Sequence, residues 1–363
     1  MSINPDTYAA FLSGGHARAQ IAQRRRRERA GGALVLAGTV VVLGALLVIP
    51  LFLIASLLPW TPMPARGWEQ LGVLLAGSLR AAACAILVAV PLGVATAIFN
   101  AMFCAPRLRA WIKPALEILE AIPTVVLGLI ALATLAPWLK SSVATVLALM
   151  VIVPASLLGA GMAFGARVRR RQGWLPLWLA PAIVAIVGIA VVVASQREDA
   201  LIVPASPWNA LLIGLALGLA AVPLVFSIAE DALMRIPLAH TQAALALGAT
   251  RWQALTSIVL PAARSGLIAA IVLGASRCIG ETMIVLMASG NTPLLTADPL
   301  AGLRTISAEL ALGLPEAVPS SGTYKMLLLA TLVLFVLTFV LNLLAERVRA
   351  SLRRSSNDGT RHA

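Results

Sequence analysis

Apolar residues dominate this chain in long runs, and short charged or proline-rich stretches separate them. Runs of that length occur at about 33–58, 71–100, 115–138, 143–165, 174–195, 208–229, 265–290 and 324–345. A helix needs roughly 20 apolar residues to cross ~30 Å of hydrocarbon, so the pattern predicts an all-α integral membrane protein, a polytopic bundle of about eight transmembrane helices. Prolines fall inside these runs at Pro91, Pro123, Pro154, Pro181 and Pro223. In a soluble helix each would cost ~3 kcal/mol. A membrane bundle tolerates them where neighbouring helices satisfy the freed carbonyls, and the resulting kinks suit a pathway as well as a rigid scaffold.

Two segments break the pattern. Between the sixth and seventh runs lies TQAALALGATRWQALTSIVLP, Thr241 to Pro261. Ala243, Ala244 and Leu247 form a small apolar face on a short helix, which Gly248 ends as glycine does at a C′ position. Thr250 caps a second helix that runs through Trp252, Leu255 and Ile258 to Pro261. The result is a helix-turn-helix outside the bilayer, too long to be an ordinary connection. Before the last run lies a proline-rich loop, 291–323, in which Leu303, Ile306, Leu310 and Leu314 recur at helical spacing. That helix either lies on the membrane surface or caps the bundle.

Composition sharpens the picture without changing it. The 363 residues are 60% hydrophobic, with mean hydropathy +0.93 and net charge +13. The positive charge follows the loops: with the N-terminus inside, 21 of the 28 Lys and Arg fall on the cytoplasmic side and five on the other. The positive-inside rule therefore places both termini in the cytoplasm. It divides the chain into a basic tail (1–32), a transmembrane region (33–350) with an inner loop (231–263) and an outer loop (291–323), and a cytoplasmic tail (351–363). No aromatic residues interleave with the basic clusters, which argues against nucleic-acid binding. The Arg-rich tail is too long and charged for a cleaved signal, so the first span is read as a retained anchor.

Candidate chemistry is sparse. Cys84, Cys104 and Cys278 lie far apart in apolar runs and suggest neither disulfide nor metal site. None of Lys113, Lys140 and Lys325 follows a glycine, so there is no phosphate-binding Walker loop, and the chain has no HExxH and no G-x-S-x-G. Charges inside a span are costly, ~2.5–3.5 kcal/mol each at the bilayer centre, and mark function or helix locking. Arg277 and Glu281 stand four apart in the seventh run, a spacing that puts both on one helix face and allows them to pair. The arginine fork suits an oxyanion, and a carboxylate beside it can orient the fork or accept a proton that the oxyanion carries. A purely structural ion pair is the alternative. Glu117 and Glu120, near the inner end of the third run, read as interfacial residues packed against basic loops, with a pathway role as the lesser reading. Arg80 is expected to snorkel outward or line an outer vestibule. Asn291 and Thr292 either meet an anion at the outer face or form an ordinary turn.

At this point the sequence resembles a known family. QAALALGATRWQALTSIVLP is similar to the EAA signature of ABC importer permeases: E-A-A, three residues, glycine, nine residues, I-x-L-P. Gln242 replaces the usual glutamate, while Gly248 and the Ile258-to-Pro261 element match. LGASRCIGETMIVLMASGNTPL, LEILEAIPTVVLGLIAL and the segment from Thr305 to Arg349 look like the permeases of phosphate-specific (Pst) importers, of the PstC type. The resemblance covers most of residues 70–350. It implies a MetI-like permease core, to which the runs near 143–195 add a helical hairpin. It implies a phosphate pathway that includes Arg277, Glu281, Thr282 and Asn291. It also implies an ATPase-coupling surface made by Gln242, Ala243, Ala244, Gly248, Ala249, Thr250, Ile258, Leu260 and Pro261. The partners implied are a PstB-like ATP-binding subunit carrying ATP-Mg, a PstA-like second permease and a PstS-like binding protein. This chain itself would bind no cofactor and sit among lipid in the bacterial inner membrane. Another oxyanion (sulfate, molybdate or phosphonate) is the nearest alternative. An intramembrane enzyme lacks a convergent nucleophile-base set, and a phosphate-sensing role is compatible with the same sequence.

Overall fold

The computed structural model describes residues 15–58, 66–139, 208–296, 298, 300–319 and 321–359. The hairpin expected near 143–195 lies outside the described residues. Among the described residues there are helices and no strand.

The chain divides into two compact units, Met1–Trp60 and Thr61–Ala363. In the first, one helix, α1, runs from Gly15 to Leu57. The basic tail and the first span are therefore one continuous helix from Gly15 onward. The second unit holds α2 (Gly67–Ile98), extended by a π turn to Phe103, then α3 (Pro106–Ala121), α4 (Thr124–Ile130) and α5 (Ala210–Met234). Next come α6 (Leu238–Ala246), α7 (Arg251–Ala254), α8 (Leu260–Gly280), α9 (Met283–Ala288), α10 (Ile306–Gly313) and α11 (Gly322–Gly359).

Five helical stretches among the described residues are long and apolar enough to cross a membrane: Arg27–Leu57, Gly67–Phe103, Ala210–Met234, Arg251–Gly280 and Gly322–Ala350. A sixth is the pair α3 and α4 with its continuation to Leu139, bent by 88°. Each overlaps one of the predicted runs, but Arg251–Gly280 ends ten residues before the run 265–290 does. The bend has a local cause. Proline disfavours the helical region for the residue before it, and Ile122, preceding Pro123, is extended at φ −64°, ψ 126°. Pro91 and Pro223, by contrast, lie inside α2 and α5, which continue through them.

The second unit is built around α2 and α5. Gly214 and Gly218 lie one turn apart on α5, facing α2. A Cβ on Gly214 would come 2.5 Å from Cβ of Cys84, and one on Gly218 would come 2.8 Å from the Ala85 carbonyl oxygen. Close approach of this kind supplies the van der Waals contact that holds helices together in lipid. Leu212, Ile213, Leu217 and Phe226 of α5 are fully buried in the core, and α8 and α11 complete the bundle.

The loop between α9 and α11 folds into one end of this bundle. Arg80 donates to the carbonyl of Thr296 and, at 2.6 Å, to that of Gly302. The buried Ser78 hydroxyl accepts the Ile306 N–H at 3.0 Å and donates to the Leu74 carbonyl at 2.9 Å. At Gly77 the two backbones touch: a Cβ there would lie 2.1 Å from the Arg304 carbonyl oxygen. Thr305 caps α10 through the Ala308 N–H at 3.2 Å, so the predicted amphipathic helix begins only at Ile306. Leu303 and Ile306 are buried, whereas Leu314 is 41% exposed. The segment caps the bundle.

Candidate functional site

Two places bring the singled-out residues together. The first is the turn between α6 and α7 at the opposite end of the bundle from the capping loop. The end of α6 is a complete Schellman motif: the Ala249 N–H donates to the Ala244 carbonyl and the Gly248 N–H to the Leu245 carbonyl, both at 3.0 Å. The motif needs a left-handed residue, and Gly248 provides it at φ +84°. A side chain there would meet nothing within 4 Å, so backbone conformation is the requirement at this position. Thr250 opens α7 with a full capping box. Its hydroxyl accepts the Gln253 N–H at 3.2 Å, and the Gln253 carboxamide accepts the Thr250 N–H at 2.8 Å.

The second helix does not stop at Pro261 as the sequence pattern predicts. It passes through a π turn, Leu255–Val259, directly into α8. The wider turn accommodates the proline ring, which clashes with the carbonyl four residues back in a regular helix. The segment before Pro261 and the charged span are thus one continuous rod from Arg251 to Gly280. Ala254, Leu255 and Val259 anchor its root in the core. Outside, a groove of about 390 Å³ opens between Ala244, Leu247 and Gly248 on one side and Gln253, Ser257 and Ile258 on the other. Leu247 projects beside it, 89% exposed. Gln242, Ala243 and Pro261 are also exposed, while Ala249, Ile258 and Leu260 are half-buried.

This element bears on the ends of the spans. Trp252 packs against Phe103 at the end of α2, with ring centroids 6.5 Å apart. Arg109 donates to the carbonyls of Asn100 and Ala101, the latter at 3.0 Å, and so closes the π turn. The buried Asn100 amide in turn donates to Glu230 of α5 at 2.5 Å.

The second place is the end of α8. The helix ends at Gly280, and Glu281 is extended at φ −72°, ψ 131°. The predicted one-face pairing of Arg277 with Glu281 therefore fails, because a four-residue spacing aligns side chains only while the helix continues. The Glu281 carboxylate instead accepts the Met283 N–H at 3.1 Å, one of the donors left free at the start of α9. Arg277, in the last turn of α8, pairs with Glu120 of α3 at 3.8 Å. That is an ion-pair distance, too long for a hydrogen bond. Among the described residues the Arg277 guanidinium makes no hydrogen bond. Both side chains are partly exposed, 36% for Arg277 and 42% for Glu120. Charge pairing across two interrupted helices is what the sequence reading missed. The one available signal was Glu120 standing a turn before the helix-breaking Pro123.

The other expected pathway residues separate. Thr282 is at the break, half-buried, at the N-cap position of α9 and without a capping hydrogen bond from its side chain. Asn291 lies beyond α9, ~9 Å of helix further on. It adopts φ 49°, donates its amide to the Leu286 carbonyl at 3.1 Å and accepts the Ser289 hydroxyl at 3.1 Å. Its amide thus closes the C-terminal turn of α9. From the capping loop, Ser307 reaches the break and donates to the Glu281 carbonyl at 2.8 Å. Among the described residues no cluster of His, Cys, Asp and Glu is arranged to hold a metal ion.

These features make a multi-pass helical bundle with a helix-turn-helix at one end and an interrupted, charge-bearing span, the build of an integral membrane protein. Residues 155–354, more than half the chain, match the family described as binding-protein-dependent transport system inner membrane component, and the chain belongs to that family. Among its relatives is the phosphate transport system permease protein PstC of Mesorhizobium japonicum, 29% identical over 291 residues, 79% of this chain and 75% of the relative. PstC 1 of Mycobacterium tuberculosis is 29% identical over 286 residues, 78% of this chain and 72% of the relative. The probable ABC transporter permease protein YqgH of Bacillus subtilis is 28% identical over 293 residues, 79% of this chain and 74% of the relative.

Proposed function

We propose that this chain is a permease subunit of an ATP-driven phosphate importer in a bacterial inner membrane, with both termini in the cytoplasm. The observation that carries the reading is Arg277: a guanidinium at a helix break inside an apolar span, opposite one distant carboxylate and without a hydrogen bond among the described residues. Such a fork offers paired donors to a passing oxyanion. The names of the PstC relatives support phosphate as that oxyanion. Thr282 and Glu281 flank the pathway, and Asn291 stands at its outer approach.

A separate ATP-binding subunit docks into the groove beside Gly248, with Leu247 as its exposed apolar contact. ATP and magnesium are held there and not by this chain. Closure of the ATPase pulls the turn, and the rod from Arg251 to Gly280 carries the motion to the charged break. A second permease subunit completes the pathway, and a binding protein delivers phosphate to the outer face. The test is phosphate uptake by the reconstituted complex, normalised to assembled complex. Arg277→Ala lowers it by an order of magnitude or more. Wild-type uptake by a well-assembled Arg277→Ala complex overturns the reading.

A further inference from the structure

We infer that Glu120 is the residue that selects for a protonated oxyanion at Arg277, an inference that rests on the phosphate pathway proposed above. Glu120 lies in the last turn of α3, where the carbonyl ends of the helix repel a carboxylate. Arg277 lies in the last turn of α8, where the same partial charge favours it. The cation therefore suits its own helix and the anion does not, so Glu120 gains from Arg277 alone. At 3.8 Å the two are loosely held, and Glu120 makes no hydrogen bond among the described residues. An oxyanion that reaches the guanidinium forms charge-assisted bonds at ~2.7–2.9 Å and displaces the weaker contact. Glu281, the carboxylate nearest in sequence, accepts the Met283 N–H instead.

The displaced Glu120 carboxylate remains beside the incoming anion, and its chemistry decides which anions stay. At neutral pH inorganic phosphate keeps at least one P–OH, which donates a hydrogen bond to Glu120. Sulfate has no proton and presents only acceptors, so it meets an uncompensated negative charge. An attractive contact for one ligand is thereby a repulsive one for its competitor, the arrangement that gives specificity. No proton is transferred, and the selection holds as long as Glu120 is ionised.

The test uses the complete importer with its binding protein in proteoliposomes. Phosphate uptake is measured with excess external sulfate or with chloride at equal ionic strength. Wild-type uptake is the same in both. Glu120→Gln lowers uptake a few-fold in chloride, because the acceptor for P–OH is weakened, and sulfate lowers the remainder a further tenfold or more. Glu120→Asp, which keeps the carboxylate, resists sulfate, and Glu120→Ala behaves as Glu120→Gln. Sulfate resistance of Glu120→Gln and Glu120→Ala overturns the inference. So does complete loss of uptake in both, which would make Glu120 essential for passage itself. Arg277→Ala separates the two levels. If it loses uptake while the Glu120 variants resist sulfate, the pathway stands and only the selecting role falls. If it transports at the wild-type rate, the pathway itself is wrong.

Discussion

Arg80 and Arg277 both sit in apolar spans, and the structure treats them in opposite ways. Arg80 donates to two backbone carbonyls, of Thr296 and Gly302, and fastens the loop before α10 to α2. Arg277 faces Glu120 at 3.8 Å and leaves its donors without a hydrogen bond among the described residues. The difference extends to the two ends of the bundle. At one end Ser78, Thr305 and the touching backbones at Gly77 and Arg304 build a closed cap. At the other end the turn around Gly248 presents the exposed Leu247 and a groove. An intramembrane cation whose two terminal nitrogens both bind backbone carbonyls, as those of Arg80 do, is structural. One held by a single loose pair is available for work.

This contrast predicts that the two arginines fail differently. Arg277→Ala has the largest effect: uptake per assembled complex falls tenfold or more while the amount of complex changes little. Arg277→Lys keeps the charge without the fork and restores part of the rate. Arg80→Ala leaves two carbonyls without their charged donor, at a cost of about 2 kcal/mol. The expected result is a lower thermal midpoint and faster proteolysis within 291–305, with uptake per surviving complex within a factor of two. If Arg80→Ala instead abolishes uptake in a stable complex, the division between structural and working arginines is lost.

Smaller effects sharpen the contrast at the end that carries Gly248. Gly248→Val forces a β-branched residue to φ +84°, where nothing crowds it, so the cost is conformational, ~1–2 kcal/mol. The variant inserts in the membrane but co-purifies with several-fold less ATP-binding subunit. Normal co-purification and normal uptake would show that the turn is not the docking element. Thr250→Ala removes one half of the capping box, worth ~1 kcal/mol, and should weaken the same association by a smaller factor in a pull-down titration.

Much of this architecture was legible in the sequence because its causes are local. The apolar runs gave six of the spans found among the described residues. The chain turn came from Gly248 and Thr250, whose backbone and side chain act within a few residues of themselves. The helix limits at Pro261 and Ile306 were less legible. A π turn carries α7 past the proline into α8, and Thr305, rather than the start of the amphipathic pattern, decides where α10 begins. The close packing of Gly214 and Gly218 on α2 came from the structure alone, because it depends on which helix that face meets.

By itself the sequence determined that this is a helical membrane protein, which apolar runs hold its described spans, where the turn at Gly248 lies and that a cation and a carboxylate occur in its seventh run. The tertiary structure decided which charges meet. A pairing inferred from spacing assumes an unbroken helix, and α8 ends at Gly280, between Arg277 and Glu281. Once it ends, the partner of Arg277 is set by how α8 packs beside the bent pair α3 and α4, whose direction changes by 88° at Pro123. That contact joins residues more than 150 positions apart, a separation over which no local rule of propensity, capping or periodicity operates.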